Sequence, residues 1–201
     1  MSLAIASQSF VSQALPHHGA RRLATQVFLA FGATLLLALS AKTRVVLGPV
    51  DLSLQTLAVL LIGATFGMRL GVATLLLYMA EGAMGLPVFQ GTPEKGIGLA
   101  YMMGPTGGYL LGFVAMAAIA GWAADRGWDR NPLKLGSAML VAEIVLMGLG
   151  FVWLAGLIGA DKAWQFGVVP FVLPDLIKVA LAACFMPAAW ALLRGLGNFG
   201  R

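Results

Sequence analysis

The sequence predicts an all-α integral membrane protein, a bundle of six transmembrane helices with a cap loop on the outer face between helices 3 and 4. Of the 201 residues, 60% are apolar and only 10% are charged, whereas roughly 25% of the residues in a soluble globular domain are charged. So few charges cannot cover a water-facing surface, so most of the surface must meet lipid. Apolar windows also recur along the chain, with lengths near the roughly 20 residues that a helix needs to cross the hydrocarbon core.

Six such windows follow one another, and we expect each to form a helix. The first and fourth contain no charged residue, and the second is uncharged but short. The third encloses Glu81, the fifth Glu143, and the sixth both Asp175 and Lys178. The windows lie at 23–41, 52–68, 70–88, 101–124, 135–160 and 168–193.

Lys and Arg in the connections predict the orientation. With the N-terminal residues inside, the inner connections hold eight Lys or Arg and the outer connections hold four. Because positive charge marks the cytoplasmic side, both termini are expected in the cytoplasm and the protein in the cytoplasmic (inner) membrane. The first twenty residues lack the pattern of a signal peptide. We therefore expect a cytoplasmic tail at 1–22, the six-helix domain at 23–194, and a second cytoplasmic tail at 195–201.

The longest connection, 85–104, reads GLPVFQGTPEKGIGLAYMMG and has too much Gly and Pro for a continuous helix. Irregular backbone cannot face lipid, so this segment should lie in water or pack on the bundle as the cap. Tyr101 and Tyr109 fall in and just after it, and Gln90 lies within it. Tyrosines usually form the interfacial belt of a membrane protein, but their rings also suit the wall of a small-molecule pocket.

Asp175 and Lys178 are the strongest candidates for a binding site. An ionised side chain deep in a membrane helix costs about 2.5–3.5 kcal/mol, which makes it a functional hypothesis by default. The two residues are three apart, so they share one face of the helix. They could simply neutralise each other, or they could offer a ligand an acceptor for its N–H groups and a cation for a carbonyl or carboxylate. The second interpretation suits a small polar head on an apolar body.

The other two charges in the windows give less direct predictions. Glu81 lies near the outer end of its window, where a structural role is the better interpretation. Glu143 lies deeper, and three alternatives stay open for it: it is protonated, it pairs with a neighbouring helix, or it faces a cytoplasmic partner.

Small residues form a stripe along the first helix, with Ala30, Thr34 and Ala38 spaced every four residues. Such a stripe permits close helix contact. Two interpretations remain open: packing inside the bundle, or a docking face for a separate membrane subunit.

Several classes of function are disfavoured by missing residues. A single cysteine, Cys184, and only two histidines, His17 and His18, leave no basis for a metal site. No GxxxxGK[ST] phosphate loop or catalytic elbow is present, and no cofactor is expected. The basic residues lie in short connections instead of forming one basic face, which argues against nucleic acid as a partner.

Four ordered segments resemble the BioY family, the substrate-binding S-components of energy-coupling-factor (ECF) vitamin transporters. They begin at Leu47, Gly85 and Met103, and the last ends at Lys178. In order they read LGPVDLSLQTLAVLLIGATFGMRLG, GLPVFQGT, MGPTGGYLLGF and VVPFVLPDLIK.

This resemblance implies a six-helix protein that binds biotin on the outer side and works with a transmembrane coupling subunit and with ATPase subunits, which alone use ATP. Asp175 and Lys178 match the family's Asp-x-x-Lys, and the resemblance gives Asp175 the role of accepting hydrogen bonds from the ureido N–H groups. The resemblance also implies that the small-residue stripe of the first helix is the docking face. Where some members carry an Asn and an Arg, this chain has Gly96 and Leu110, so Lys95 is our hypothesis for the partner of the biotin carboxylate.

Two classes of alternative function remain. Within transport, the chain could serve another vitamin or act as a solitary carrier. A more remote alternative is an intramembrane enzyme that uses Asp175 with Glu143, although the sequence offers few bases or nucleophiles.

Overall fold

The computed structural model describes residues 9, 11, 19–46 and 50–195, and side chains only up to residue 192. Within this part of the chain, five helices are long and apolar enough to cross a membrane. A two-stranded antiparallel pair joins α1 to α2, and a 3-10 turn at Trp128–Arg130 joins α4 to α5. The elements in chain order are α1 (Ala20–Lys42), β1 (Arg44–Val45), β2 (Leu52–Ser53), α2 (Gln55–Ala83), α3 (Gly98–Met102), α4 (Gly107–Asp125), α5 (Pro132–Ile158), α6 (Ala160–Gly167) and α7 (Val169–Gly195).

Helix α2 contains two of the six predicted transmembrane segments, because the chain reverses within it at Gly67. The backbone there has φ 77° and ψ 174°, a conformation that is essentially restricted to glycine. In a straight helix Gly63 and Gly71 would lie about 12 Å apart, yet a Cβ on Gly71 would come within 3.3 Å of the Gly63 Cα. Gln55 and Tyr78, near the two ends, share a hydrogen bond of 3.1 Å. The prediction of six transmembrane helices is therefore confirmed, with the second and third forming one hairpin.

The element boundaries differ from the predicted windows at three places. Residues 52 and 53 form β2 instead of starting the second helix, because they pair with β1. The helix predicted from the fourth window is α4, which begins at Gly107 and not at residue 101, because Gly104 and Pro105 separate it from the short α3. The chain between α5 and α7 forms the additional short helix α6.

Small residues allow the central helices to pack closely. A Cβ on Gly63 would lie 2.9 Å from the carbonyl oxygen of Ala117, so α2 and α4 touch almost backbone to backbone. Gly112 of α4 faces Leu146 of α5 in the same way. This contact of α4 with both α2 and α5 places it at the centre of the bundle, next to the site described below.

The small-residue stripe of α1 turns into the bundle in this structure. Ala30 and Thr34 are buried, and Ala38 is partly buried against the core. Thr34 Oγ1 donates a hydrogen bond of 3.0 Å to Glu81 Oε1 of α2. Of the two interpretations left open by the sequence, internal packing is therefore the one that describes Ala30 and Thr34 here.

The two ends of the bundle differ in composition. One end, called the cap end below, carries β1, β2 and the segment 84–106. Segment 84–106 contains the predicted cap, 85–104, and Lys42 at the end of α1 donates to the carbonyl oxygens of Phe89 and Thr92 within it. The opposite end carries Gly67 and the 3-10 turn. The predicted tails, 1–22 and 195–201, fall mostly outside the described residues.

Candidate binding site

The predicted pair lies inside the bundle near its cap end. Asp175 and Lys178 of α7 are 1% and 7% exposed, so neither side chain faces lipid. Lys178 Nζ lies 2.6 Å from Asp175 Oδ1. The hydroxyl of Thr56, on the first half of α2, donates to the same Asp175 oxygen at 3.1 Å and accepts from Lys178 Nζ at 2.9 Å. The three side chains thus form a closed ring of hydrogen bonds.

Asp175 still has one unused acceptor. Its Oδ2 atom is buried and has no hydrogen-bond partner among the described residues. A buried carboxylate oxygen without a donor costs about 1–3 kcal/mol or more, and natural structures rarely leave such an atom unsatisfied without a functional reason. The arrangement is therefore suited to a ligand that brings its own N–H or O–H donor.

Asp175 and Lys178 open onto a cavity enclosed by α2, α4, α5, α7 and the cap. Its empty volume is about 480 Å³, including the open space at its mouth. Most of the wall area is apolar, although at least half of the lining residues carry polar side chains. The lining residues are Val50, Asp51, Ser53, Gln55, Thr56, Gln90, Tyr101, Thr106, Tyr109, Leu110, Phe113, Leu146, Met147, Phe171, Asp175 and Lys178.

Two tyrosines that the sequence singled out form part of this wall. Tyr109 of α4 donates its hydroxyl to the carbonyl oxygen of Gly167 at 2.7 Å, and its ring lies over Gly150, where a Cβ would collide with it. Tyr101 of α3 stacks on Phe89 of the cap, with 5.0 Å between ring centroids. Burial raises the pKa of Tyr101 to about 12, so its phenol keeps its proton at any physiological pH. Both rings are fixed apolar surfaces that border the cavity.

A cluster of charged side chains lies at the mouth of the cavity. Asp51, which lines the cavity, accepts from Arg44 Nη1 and from Lys95 Nζ, each at 2.7 Å. Gln90 of the cap donates to the Asp51 carbonyl oxygen at 2.7 Å. The hydrogen bond to Asp51 raises the pKa of Arg44 above its ordinary value. These contacts join the β1–β2 connection to the cap above the cavity.

The structure brings five of the six predicted ligand-binding residues to one cavity. Lys95 differs from the others: its ammonium is paired with Asp51 and it is not among the lining residues. The hypothesis that Lys95 meets a ligand carboxylate would require a rearrangement at the mouth. The residues that do line the cavity are Gln90, Tyr101, Tyr109, Asp175 and Lys178.

Two important side chains were missed by sequence reasoning. Thr56 completes the ring with Asp175 and Lys178, although 119 and 122 residues separate it from them. Asp51 is the carboxylate at the mouth. Both residues are polar and lie near the start of the second apolar window, which was the available signal in the sequence. Only the fold shows which distant residues they contact.

The two other buried carboxylates have different surroundings. Glu81 has its partner in Thr34, as described above, consistent with a structural role. Glu143 of α5 is 7% exposed, and neither of its carboxylate oxygens has a hydrogen-bond partner in the described part of the chain. It interacts electrostatically with Asp175 and Lys178, and its carboxyl lies within hydrogen-bond reach of the Asp175 carboxyl, a bond that forms only when one of the two carries a proton. Glu143 therefore lies inside the bundle beside the helix that carries the pair, and its protonation stays a prediction.

The chain is similar to known proteins over most of its length. It is 39% identical over 147 residues to a probable biotin transporter BioY from Pyrococcus horikoshii, covering 73% of this chain and 85% of that protein. It is 32% identical over 182 residues to biotin transporter BioY2 from Lactococcus lactis, covering 88% and 94%. The fold matches a 2.1 Å crystal structure of the S-component for biotin from an ECF-type ABC transporter, with a TM-score of 0.75 at 19% identity over 87% of this chain and 95% of that one.

The family model for BioY matches residues 10–195, which include all the helices and the cavity. Together with relatives above 30% identity that the chain covers almost completely, this match settles the assignment that the four sequence segments had indicated: the chain belongs to the BioY family.

Proposed function

We propose that this protein is a membrane-embedded substrate-binding subunit that captures biotin at the cap end of the bundle for uptake into the cell. The observation that carries the proposal is the buried Asp175–Lys178 pair, which lines a cavity with largely apolar walls and leaves Asp175 Oδ2 without an N–H donor. Biotin has complementary groups: two N–H donors and a carbonyl on a cyclic urea, an apolar thiophane ring, and a valerate chain with a carboxylate. Relatives named as biotin transporters support the same choice.

Each part of the ligand has a counterpart in the cavity. The ureido N–H groups would donate to Asp175, and the carbonyl would accept from Lys178, which has a third N–H beyond its bonds to Asp175 and Thr56. The thiophane ring would lie between apolar walls that include Phe113 and Phe171. The carboxylate would point toward the mouth, where Lys95 and Arg44 supply positive charge.

The experiment is a calorimetric titration of the purified protein with biotin, compared with Asp175→Asn. The variant replaces an ionised acceptor with a neutral amide and leaves Lys178 without its counter-ion. Because hydrogen bonds to charged groups contribute about 1.5–3 kcal/mol, the affinity should fall by at least about tenfold. Asp161→Asn is the matched control, since Asp161 is exposed on α6.

A second variant covers the case in which Asp175→Asn fails to fold. Thr56→Val keeps the side-chain shape and removes the hydroxyl that joins Asp175 to Lys178, so it should weaken biotin binding while the pair itself remains. Unchanged affinity in both folded variants would refute the site assignment.

We further propose that uptake requires a transmembrane coupling subunit and ATPase subunits, as in the ECF transporter whose S-component shares this fold. Both termini would lie in the cytoplasm and the cap on the outer face of the cytoplasmic membrane. Proteoliposomes that contain this chain alone should then bind biotin without accumulating it against a gradient. Accumulation without ATPase subunits would favour the solitary carrier, and a different co-purified vitamin would favour another substrate.

A further inference from the structure

Glu143 is a buried carboxyl that the proposed contacts with biotin do not use. It lies on α5, one helical turn before Leu146 and Met147, which line the cavity. Its side chain is therefore just beneath the cavity floor, on the side of Asp175 and Lys178. More than nine-tenths of the residue is buried, and neither oxygen has a hydrogen-bond partner among the described residues.

The charges at this position do not balance if every group is ionised. Asp175 and Glu143 would contribute two negative charges, and Lys178 one positive charge. The charged groups that act on Glu143 are Asp175 and Lys178, both on α7. The other elements that pack against α5, which are α4, α6 and the 3-10 turn, contribute none in the described part of the chain. An uncompensated charge in the interior costs several kcal/mol. One proton shared between the two carboxyls removes it.

The geometry indicates which carboxyl keeps its charge. Asp175 Oδ1 accepts from both Lys178 and Thr56, contacts that favour an ionised carboxylate. Glu143 has no such donors, and its contact with the Asp175 carboxyl is a hydrogen bond only when one of the two carboxyls carries a proton. The proton therefore belongs on Glu143.

We propose that Glu143 is a positioning residue for the Asp175–Lys178 pair, and that it acts by holding a proton in the ligand-free protein. As a neutral acid, it leaves Lys178 directed at Asp175 and Thr56, with its third N–H free for the ligand carbonyl. Ionised Glu143 would instead compete with Asp175 for Lys178 and draw the ammonium away from the ligand. Ligand affinity should therefore fall when Glu143 loses its proton. The choice of biotin as the probe rests on the proposed function, but the proton on Glu143 does not.

The first test detects that proton without any ligand. Infrared spectroscopy of the purified protein at neutral pH should show the carbonyl stretch of a protonated carboxyl, and this band should shift when glutamate carries ¹³C at its side-chain carboxyl. The chain has three glutamates, so the band is assigned with Glu143→Gln, which should abolish it, and with Glu81→Gln, which should not. Absence of a glutamate band in the wild-type protein would overturn the proposal even if no variant folds.

The second test links the proton to binding. Biotin titrations of the wild-type protein over a pH series should show the affinity falling at high pH, by up to about tenfold per pH unit for one linked proton. Glu143→Gln is permanently neutral, so it should bind within about threefold of the wild-type affinity at low pH and lose this decline. Glu81→Gln should follow the wild type.

The outcomes of the two tests separate the two proposals. Identical pH profiles for wild type and Glu143→Gln, or loss of binding by folded Glu143→Gln at every pH, would refute the role of Glu143. No binding of biotin by the wild-type protein would refute the proposed function, while the infrared band would still decide whether Glu143 holds a proton.

Discussion

At the scale of single residues, the buried charges of Asp175 and Lys178 are largely satisfied by their neighbours. Asp175 and Lys178 neutralise each other, and Thr56 bonds to both. A lone charge at mid-membrane would cost about 2.5–3.5 kcal/mol, and the pair reduces that cost without removing the unused acceptor on Asp175. The unused acceptor on Asp175 keeps part of this cost in the ligand-free protein. A ligand that donates a hydrogen bond to Asp175 removes that cost, and this favours binding.

Asp129 is a further buried carboxylate, outside the long helices and at the opposite end of the bundle from the cap. It is 1% exposed, and its Oδ2 accepts from Trp190 Nε1 at 2.6 Å. Burial raises the pKa of Asp129 above its ordinary value, and the hydrogen bond from Trp190 only partly opposes this effect. The contact joins the 3-10 turn to α7.

Replacing Asp129 should change how stability depends on pH. Because the folded-state pKa is raised, the folded protein binds this proton more tightly than the unfolded chain does. Its contribution to stability is fully present below the unfolded value of about 3.8 and is lost as pH rises through the folded pKa. Asp129→Asn keeps an acceptor for Trp190 and removes the charge. At neutral pH it should therefore melt at a higher temperature than the wild type in detergent.

A fluorescence melting series from pH 4 to about 7 measures this effect. The difference between Asp129→Asn and wild type should shrink toward low pH, where Asp129 is also neutral. The exposed Asp161→Asn should give no such trend, and a variant less stable than the wild type at neutral pH would contradict the prediction.

At the scale of elements, the reversal at Gly67 determines the shape of the bundle. It folds the two halves of α2 against each other, so Thr56 lies at the same end of the bundle as the cap that follows Ala83. Asp125 at the end of α4 supports the reversal by accepting from the backbone N–H of Met68 at 3.0 Å. A side chain at Gly67 would meet both this carboxylate and Ser9.

Gly67→Ala should therefore destabilise the protein. A positive φ costs an L-residue about 1–2 kcal/mol, and the new Cβ would add collisions with Asp125 and Ser9. Gly159→Ala is the matched control, because Gly159 has a similar backbone conformation, φ 87° and ψ 153°, with nothing within 4 Å of its Cβ position. Thermal unfolding should show a larger decrease in Tm for Gly67→Ala than for Gly159→Ala. Equal decreases would mean that packing at the reversal contributes nothing.

At the scale of the whole molecule, the bundle is apolar outside and concentrates its polar groups at the ends and in the cavity. Leu, Ile, Val and Phe side chains are exposed along the long helices, as expected for a surface in lipid. The cap end carries the ion cluster around Asp51, whereas the opposite end carries Arg126, Arg130 and Lys134. This distribution supports the proposed orientation, with the cavity open to the outside.

Cysteine labelling tests that orientation. In a chain whose exposed Cys184 is replaced by Ala, Glu94→Cys places a thiol on the cap, where the Glu94 side chain is 70% exposed. Lys134→Cys places one at the exposed start of α5. A membrane-impermeant maleimide added to intact cells should label the first within minutes, and the second only after the membrane is broken. The reverse pattern would place the cavity on the cytoplasmic side.

The sequence by itself determined the class of the protein, the six membrane segments, the cap and the pair at Asp175 and Lys178. The length of an apolar window and the presence of a charged residue within it are local properties, because each is read from one continuous stretch of chain. Only the tertiary structure decided that Thr56 joins the pair, that Lys95 is held by Asp51, that Thr34 faces Glu81, and that Glu143 lies beneath the cavity. These are contacts between residues far apart in the chain, and they depend on how helices rotate and pack against one another, which no single helix encodes.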